Sequence, residues 1–279
     1  MKPLLSAAEL VGRLDAVRLI DARGGGRDAY AVSHLAGAVF ADLEQDLATP
    51  GDPRHGGRHP LPDIDAWCRT LGGWDIGPST PVVIYDEAGG ANAAARAWWM
   101  LRAVGHELAA VLDGGLRAAL EAGVPTTAEA PTIVPQRPYP SRFGGRWGLP
   151  LARAAEVEEV RLDPDRCLLD VRAELRYRGD SDPFDPVPGH IPGALNLPYA
   201  GSLGADGRFL PAAELRRRFE EALDGRAAAE TTVYCGSGVT ACHALLAMAH
   251  AGLGDAVLYV GSWSEWCRSD RPRASVVRP

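Results

Sequence analysis

The sequence predicts an α/β fold built twice over: two similar domains, each a mainly parallel sheet flanked by helices. Three observations predict it. The first is that landmark segments recur in the same order. Leu19-Ile20-Asp21-Ala22-Arg23 is matched by Leu168-Leu169-Asp170-Val171-Arg172, and Ser33-His34-Leu35-Ala36-Gly37-Ala38 by Gly189-His190-Ile191-Pro192-Gly193-Ala194. Pro81-Val82-Val83-Ile84-Tyr85-Asp86 is matched by Thr231-Thr232-Val233-Tyr234-Cys235. The second is spacing, because 65 positions separate Asp21 from Asp86 and the same 65 separate Asp170 from Cys235. The third is alternation of short β-branched runs with Ala- and Leu-rich stretches, the signature of strands and crossover helices.

Within each copy the elements follow from residue type. Val82 to Tyr85 and Thr232 to Tyr234 are too short and too β-branched for helices, which predicts buried central strands. Gly-containing turns then lead into predicted helices over 92–104 and 241–251. In the second of these, Leu245, Leu246 and Ala249 fall at helical spacing around Ala241. Pro125, Pro131, Pro135, Pro138 and Pro140 punctuate a stretch with little periodicity, so it reads as a linker or wrapping arm. The expected organisation is a domain over 1–124, a Pro-rich linker over 125–150 and a second domain over 151–279.

Bulk properties narrow the function. A chain of 279 residues, 46% hydrophobic and 23% charged, has the composition of an ordinary globular protein with room for a core in each half. Its formal charge of −7 argues against a nucleic-acid or anionic-membrane surface. No apolar run is long enough to span a bilayer, and Glu9, Arg13 and Asp15 interrupt any signal-peptide core. Cys68, Cys167, Cys235, Cys242 and Cys267 form an odd, scattered set without a C-x-x-C pair or zinc-ligand spacing. A reducing compartment, the cytoplasm, is expected.

Cys235-Gly236-Ser237-Gly238-Val239-Thr240 carries the chemistry. It follows a predicted buried strand and precedes a helix, the place where open α/β sheets collect ligands. Glycines let backbone N–H groups turn inward as an anion-binding nest, and a helix N-terminus adds partial positive charge. A cysteine held there is favoured as thiolate, and the same donors suit the charged sulfur of a persulfide. The bland alternative is a cysteine that acts only as a small buried hydrophobe.

With Gly189-His190-Ile191-Pro192-Gly193-Ala194, the Cys235 to Thr240 loop and Gly261-Ser262-Trp263-Ser264-Glu265-Trp266 in this order, the chain resembles the tandem-domain rhodanese and 3-mercaptopyruvate sulfurtransferase family over essentially its whole length. The resemblance implies two rhodanese-like domains with catalysis in the second. Asp86 stands at the cysteine position of the first, which is therefore expected to be non-catalytic. It also implies an EC 2.8.1 activity: sulfane sulfur moves from 3-mercaptopyruvate, or thiosulfate, to a thiol or cyanide acceptor through a Cys235 persulfide. The acceptor includes the option of a protein thiol, and no metal or organic cofactor is required.

The neutral Gly236 and Ser237 resemble the loop of mercaptopyruvate-type members. In such members the loop serine and a histidine of the N-terminal domain, in a His-x-Leu-Pro stretch, relay protons, roles that fall here on Ser237 and on His59 of His59-Pro60-Leu61-Pro62. Arg176 matches one of two arginines that hold the donor carboxylate, and a guanidinium fork suits that group. The second arginine is missing before Gly189, where the chain reads Asp182-Pro183-Phe184-Asp185-Pro186, and Arg178 stands as its substitute. Gly236, Gly238, Val239 and Thr240 complete the expected donor cradle. Asp21, Arg23, Asp170 and Arg172 are expected to pair with loops or one another, and Trp98 and Trp99 to pack in the core or at a domain interface. Cys242 is expected to pack on its helix rather than resolve a persulfide. Rival readings remain a thiosulfate-specific enzyme, a non-catalytic rhodanese-like binding module and a protein-to-protein sulfur relay. A cysteine phosphatase of the Cys-x5-Arg kind is disfavoured, because Ala241 stands where that motif needs arginine.

Overall fold

Strands Leu4–Leu5, Ala109–Leu112, Val82–Tyr85, Arg18–Asp21 and Val39–Phe40 lie side by side in that order in one parallel sheet. Strands Leu151–Ala152, Val257–Tyr259, Thr231–Tyr234, Cys167–Asp170 and Leu195–Asn196 form a second parallel sheet with the same order of equivalents. The computed structural model describes residues 1–91 and 93–276; the predicted helix over 92–104 begins on Asn92, which lies outside the described residues. The fold is α/β, with two parallel sheets flanked by helices.

The two compact units are not contiguous in sequence. One comprises Met1–Thr49, Pro62–Gly148 and Ala205–Phe209. The other comprises Pro50–Leu61, Leu149–Gly204 and the chain from Leu210 on. The segment Pro50–Leu61, which falls within the first copy of the sequence repeat, thus belongs to the second unit.

In the first unit every residue of Val82–Tyr85 is buried, as is every residue of Ala109–Leu112, which explains their continuous apolar runs. Helix Ile64–Gly73 buries Ile64, Trp67, Cys68 and Leu71, a stripe at i, i+3, i+4 and i+7. Asp63 caps it by accepting the N–H groups of Asp65 and Ala66. Helix Ala94–Ala103 is buried nearly all round, with Trp98 and Trp99 in the core. The Pro-rich stretch is an ordered arm along this unit. Thr126–Thr127 pairs antiparallel with His34–Leu35, and the N–H groups of Gln136, Tyr139, Arg142 and Gly148 donate to Gly72, Cys68, Val104 and Ala103.

The second unit repeats the plan. Helix Ala212–Leu223 buries Leu215, Phe219 and Leu223 at four-residue intervals. Helix Val239–His250 is so enclosed that Val239 and all of 241–248 are buried. Local contacts repeat as well. Tyr30 stacks on His34 at 3.7 Å, and Tyr177 stacks on His190 at 3.8 Å. The hydroxyl of Tyr30 donates to the Ala38 carbonyl and that of Tyr177 to the Ala194 carbonyl, each at 2.7 Å. Arg23 pairs with Asp21 at 2.9 Å and Arg172 with Asp170 at 2.6 Å, the pairing expected of both. Among the described residues no helix is long and apolar enough to cross a membrane.

Candidate active site around Cys235

Strand Thr231–Tyr234 runs through the middle of the second sheet, in register with Cys167–Asp170 on one side and Val257–Tyr259 on the other. It delivers Cys235 to the carboxyl edge, where helix Val239–His250 begins. The N–H of Gly238 donates to Cys235 Sγ at 3.2 Å. Gly238 holds φ +78°, and a Cβ there would sit 2.4 Å from the Val260 carbonyl oxygen, so only glycine fits without displacement.

The segment after Val257–Tyr259 clamps this loop from outside. Ser262 Oγ accepts the Cys235 N–H at 3.1 Å and donates to the Tyr259 carbonyl at 2.8 Å. The N–H groups of Trp263 and Ser264 donate to the carbonyls of Cys235 and Gly236. Ser262 itself sits at φ +53°, an uncommon conformation for a residue with a side chain, here held by its two hydroxyl bonds. The Gly261 to Trp266 motif is therefore the scaffold of the cysteine loop.

Pro50–Leu61 closes the other side. The Gly56 N–H donates to Glu265 Oε1 and the Arg58 N–H to Ser264 Oγ, both at 3.0 Å. Gly57, at φ +79°, passes so close that a Cβ would lie 2.3 Å from the Gly261 carbonyl oxygen. These contacts fix His59, whose Nδ1 is 2.8 Å from Ser237 Oγ. A hydroxyl and an imidazole 178 positions apart in sequence thus meet one residue beyond Cys235 and Gly236.

A pocket of about 270 Å³ opens over the sulfur, bordered by Arg176, Phe184, Tyr199, Cys235, Gly236 and Thr240. Arg176, on helix Glu174–Arg178, pairs with Asp182 at 2.9 Å and Asp185 at 3.3 Å. Asp185 also binds Arg58, and Arg268 at 2.8 Å. Arg172 is fully buried between Asp170 and Asp182, with its guanidinium 4.9 Å from the Trp263 ring. Burial opposes its charge, but Asp170, Tyr234 and Asp182 together outweigh burial and raise its pKa.

Two matches decide the family: the rhodanese-like domain is recognised over residues 6–122 and again over 153–269. The chain belongs to the rhodanese family. It is 42% identical over 278 residues to a Pseudomonas aeruginosa protein named "Probable 3-mercaptopyruvate sulfurtransferase", covering 96% of each chain. It is 36% identical over 258 residues to the thiosulfate sulfurtransferase of Mus musculus, covering 90% of this chain and 82% of the relative. Among solved structures, the 3-mercaptopyruvate sulfurtransferase from Leishmania major superposes with a TM-score of 0.82 at 30% identity, over 95% of this chain and 74% of that one. The chain is an enzyme, a sulfurtransferase.

The first copy of the rhodanese domain holds a carboxylate at its loop. Asp86 is fully buried and accepts the N–H groups of Ala88 and Gly90 at 2.8 Å and of Ala94 at 3.3 Å. Burial pushes its carboxyl up, against those hydrogen bonds. Backbone donors of this loop are thus occupied by the chain's own side chain.

Of the anticipated site residues, Arg176, Cys235, Gly236 and Thr240 border the pocket, while Gly238 contacts the sulfur and His59 meets Ser237 in the adjoining loop. Val239 is buried at the helix start and does not border the pocket. Arg178 is a correction. Two residues along a helix turn a side chain by about 200°, so Arg178 leaves the pocket side and pairs with Glu174 at 3.3 Å and Asp180 at 3.6 Å. Arg58, Asp185 and Phe184 were missed. Arg58 had a signal, its place beside His59, but nothing in sequence tells a guanidinium aimed at a loop from a solvated one. Asp182 and Asp185 read only as the place where an arginine was lacking.

Proposed function

We propose that this enzyme takes sulfane sulfur from 3-mercaptopyruvate onto Cys235 as a persulfide and passes it to a thiol acceptor. The observation that carries this reading is the 2.8 Å contact between His59 Nδ1 and Ser237 Oγ beside the cysteine. A mercaptopyruvate donor must lose a thiol proton, and its leaving group must gain one. Cys235 thiolate attacks the donor sulfur, the carbon–sulfur bond breaks, and its electron pair leaves as the pyruvate enolate. The donor's thiol proton passes by Ser237 and His59 to that enolate, giving pyruvate and a deprotonated persulfide. An acceptor thiol then takes the terminal sulfur, supplying its proton to the new persulfide and restoring the Cys235 thiolate.

The cradle supports the charge in this cycle. The Gly238 N–H already points at Sγ, and the N-terminal turn of Val239–His250 favours negative charge on a sulfur beyond it. Arg176, with Nε and Nη2 engaged by Asp182 and Asp185, offers Nη1 to the donor carboxylate. The names of the Pseudomonas and Leishmania relatives support mercaptopyruvate as donor, and that of the mouse relative keeps thiosulfate as the second. The five cysteines form no disulfide among the described residues, which supports a cytoplasmic setting.

The relay is tested by comparing donors in His59→Gln and Ser237→Ala. Turnover with mercaptopyruvate is expected to fall about 10²-fold, in the range of general acid–base catalysis, with turnover from thiosulfate, which carries no such proton, far less affected. An equal loss with both donors would contradict a proton relay.

A further inference from the structure

Two guanidinium groups are aimed at Gly236, and the reading above uses one. A Cβ at Gly236 would lie 3.0 Å from Arg58 Nη2 and 3.1 and 3.2 Å from Arg176 Nη2 and Nη1. Gly236 is not in the left-handed region, so space rather than backbone conformation explains the missing side chain. Arg58 Nη1 is held by Asp185, whereas Arg58 Nη2 and Arg176 Nη1 donate no hydrogen bond among the described residues. Two unspent donors from different segments thus face one point, next to the nucleophile.

Their spacing is built in. The Asp185 side chain is fully buried and bridges them, Arg58 on one oxygen and Arg176 on the other. Phe184 lies against both, its ring centre 5.9 Å from the Arg58 guanidinium carbon and 5.0 Å from that of Arg176. Around the site four arginines (58, 172, 176 and 268) face three aspartates (170, 182 and 185), leaving one formal positive charge for an anion to neutralise.

We propose that Arg58 is the second guanidinium that binds the donor's carboxylate, jointly with Arg176. This deepens, and rests on, the assignment of Cys235 as acceptor of sulfur from an anionic donor. Asp185, in the 182–186 segment where a second arginine is lacking, instead holds an arginine brought in by Pro50–Leu61. One unspent amino group on each side flanks the carboxylate and sets the donor sulfur toward Cys235.

The test compares alkylation of Cys235 by iodoacetate with that by its neutral analogue iodoacetamide, followed by mass of the Cys235 peptide in the full chain. The ratio of the two rates cancels any change in thiolate reactivity and reads the attraction for a carboxylate. Loss of one charge-assisted hydrogen bond predicts a ratio lower by about tenfold or more in Arg58→Ala and Arg58→Gln. Arg58→Lys is expected to retain most of it. KM for 3-mercaptopyruvate should rise by a similar factor, with a smaller change in kcat. An unchanged ratio in either neutral variant, folded as judged by circular dichroism, overturns the proposal. Failure of mercaptopyruvate to load wild-type Cys235 would instead overturn the donor reading, and the alkylation ratio still decides whether Arg58 binds carboxylates.

Discussion

Cys235 is 2% exposed, so reaction depends on a donor entering the pocket rather than on a thiol open to solvent. In the proposed reaction the groups around it act separately, the Gly238 N–H steadying the sulfur, Ser237 and His59 moving a proton, and Arg176 holding the carboxylate. Gly236 provides the room. Gly236→Ala is expected to raise KM for mercaptopyruvate by about tenfold, the weight of one lost charged contact, with little change in Tm. The new methyl group meets only the ends of two arginine side chains, which can move aside. A large drop in Tm with unchanged KM would contradict this. Cys235 and Ser237 were legible because a strand, glycines and a helix start frame them locally. The role of Arg58 depends on a fold that brings residue 58 to residue 236, so its neighbours in sequence carry no trace of it. Arg178 was misplaced because helical phase, not distance along the chain, decides which way a side chain faces.

At the scale of elements, the loop stands on the strand before it and on the Gly261 to Trp266 segment beside it. Gly238→Ala combines a left-handed φ with a collision against Val260 backbone, and should destabilise the protein by about 1–3 kcal/mol. Chemical denaturation checks this; an unchanged midpoint would contradict it. Beneath the pocket, Arg172 joins Asp170 on its strand to Asp182 in the following turn, all with fully buried side chains. Arg172→Ala leaves those carboxylates without their cation and is expected to cost about 3–5 kcal/mol, measured the same way. The central strands were readable from β-branched runs, and helix 239–250 from its start signal. The turn at 182–186 was not, since two prolines and two aspartates describe a loop without saying which cations it gathers.

Across the whole molecule the duplication preserves framework and divides the chemistry. Both copies keep the sheet order, the Asp–Arg pair and the Tyr–His stack, while the loop position holds Asp86 in one and Cys235 in the other. The repeat of 65 positions made this plan legible; the membership of Pro50–Leu61 in the second unit was not, because it breaks the order of the chain. Two buried histidines give the protein a pH signature. Burial holds His106 and His190 below the ordinary value of 6.5, so below that value the unfolded chain binds more protons than the folded one. This histidine contribution is present above pH 6.5 and is lost as pH falls through it, while the raised carboxyl of Asp86 works in the opposite sense; the change in Tm from about pH 7 to about pH 5 should therefore be less unfavourable in His190→Gln than in the wild type. An identical pH profile in the two proteins would contradict this. The central claim, that Cys235 carries the sulfur, is tested most directly by intact-protein mass after brief exposure to 3-mercaptopyruvate. The account predicts a gain of one sulfur atom in the wild type, removed by an added thiol and absent in Cys235→Ser. A gain that persists in Cys235→Ser, or no gain in the wild type with either mercaptopyruvate or thiosulfate, would contradict it.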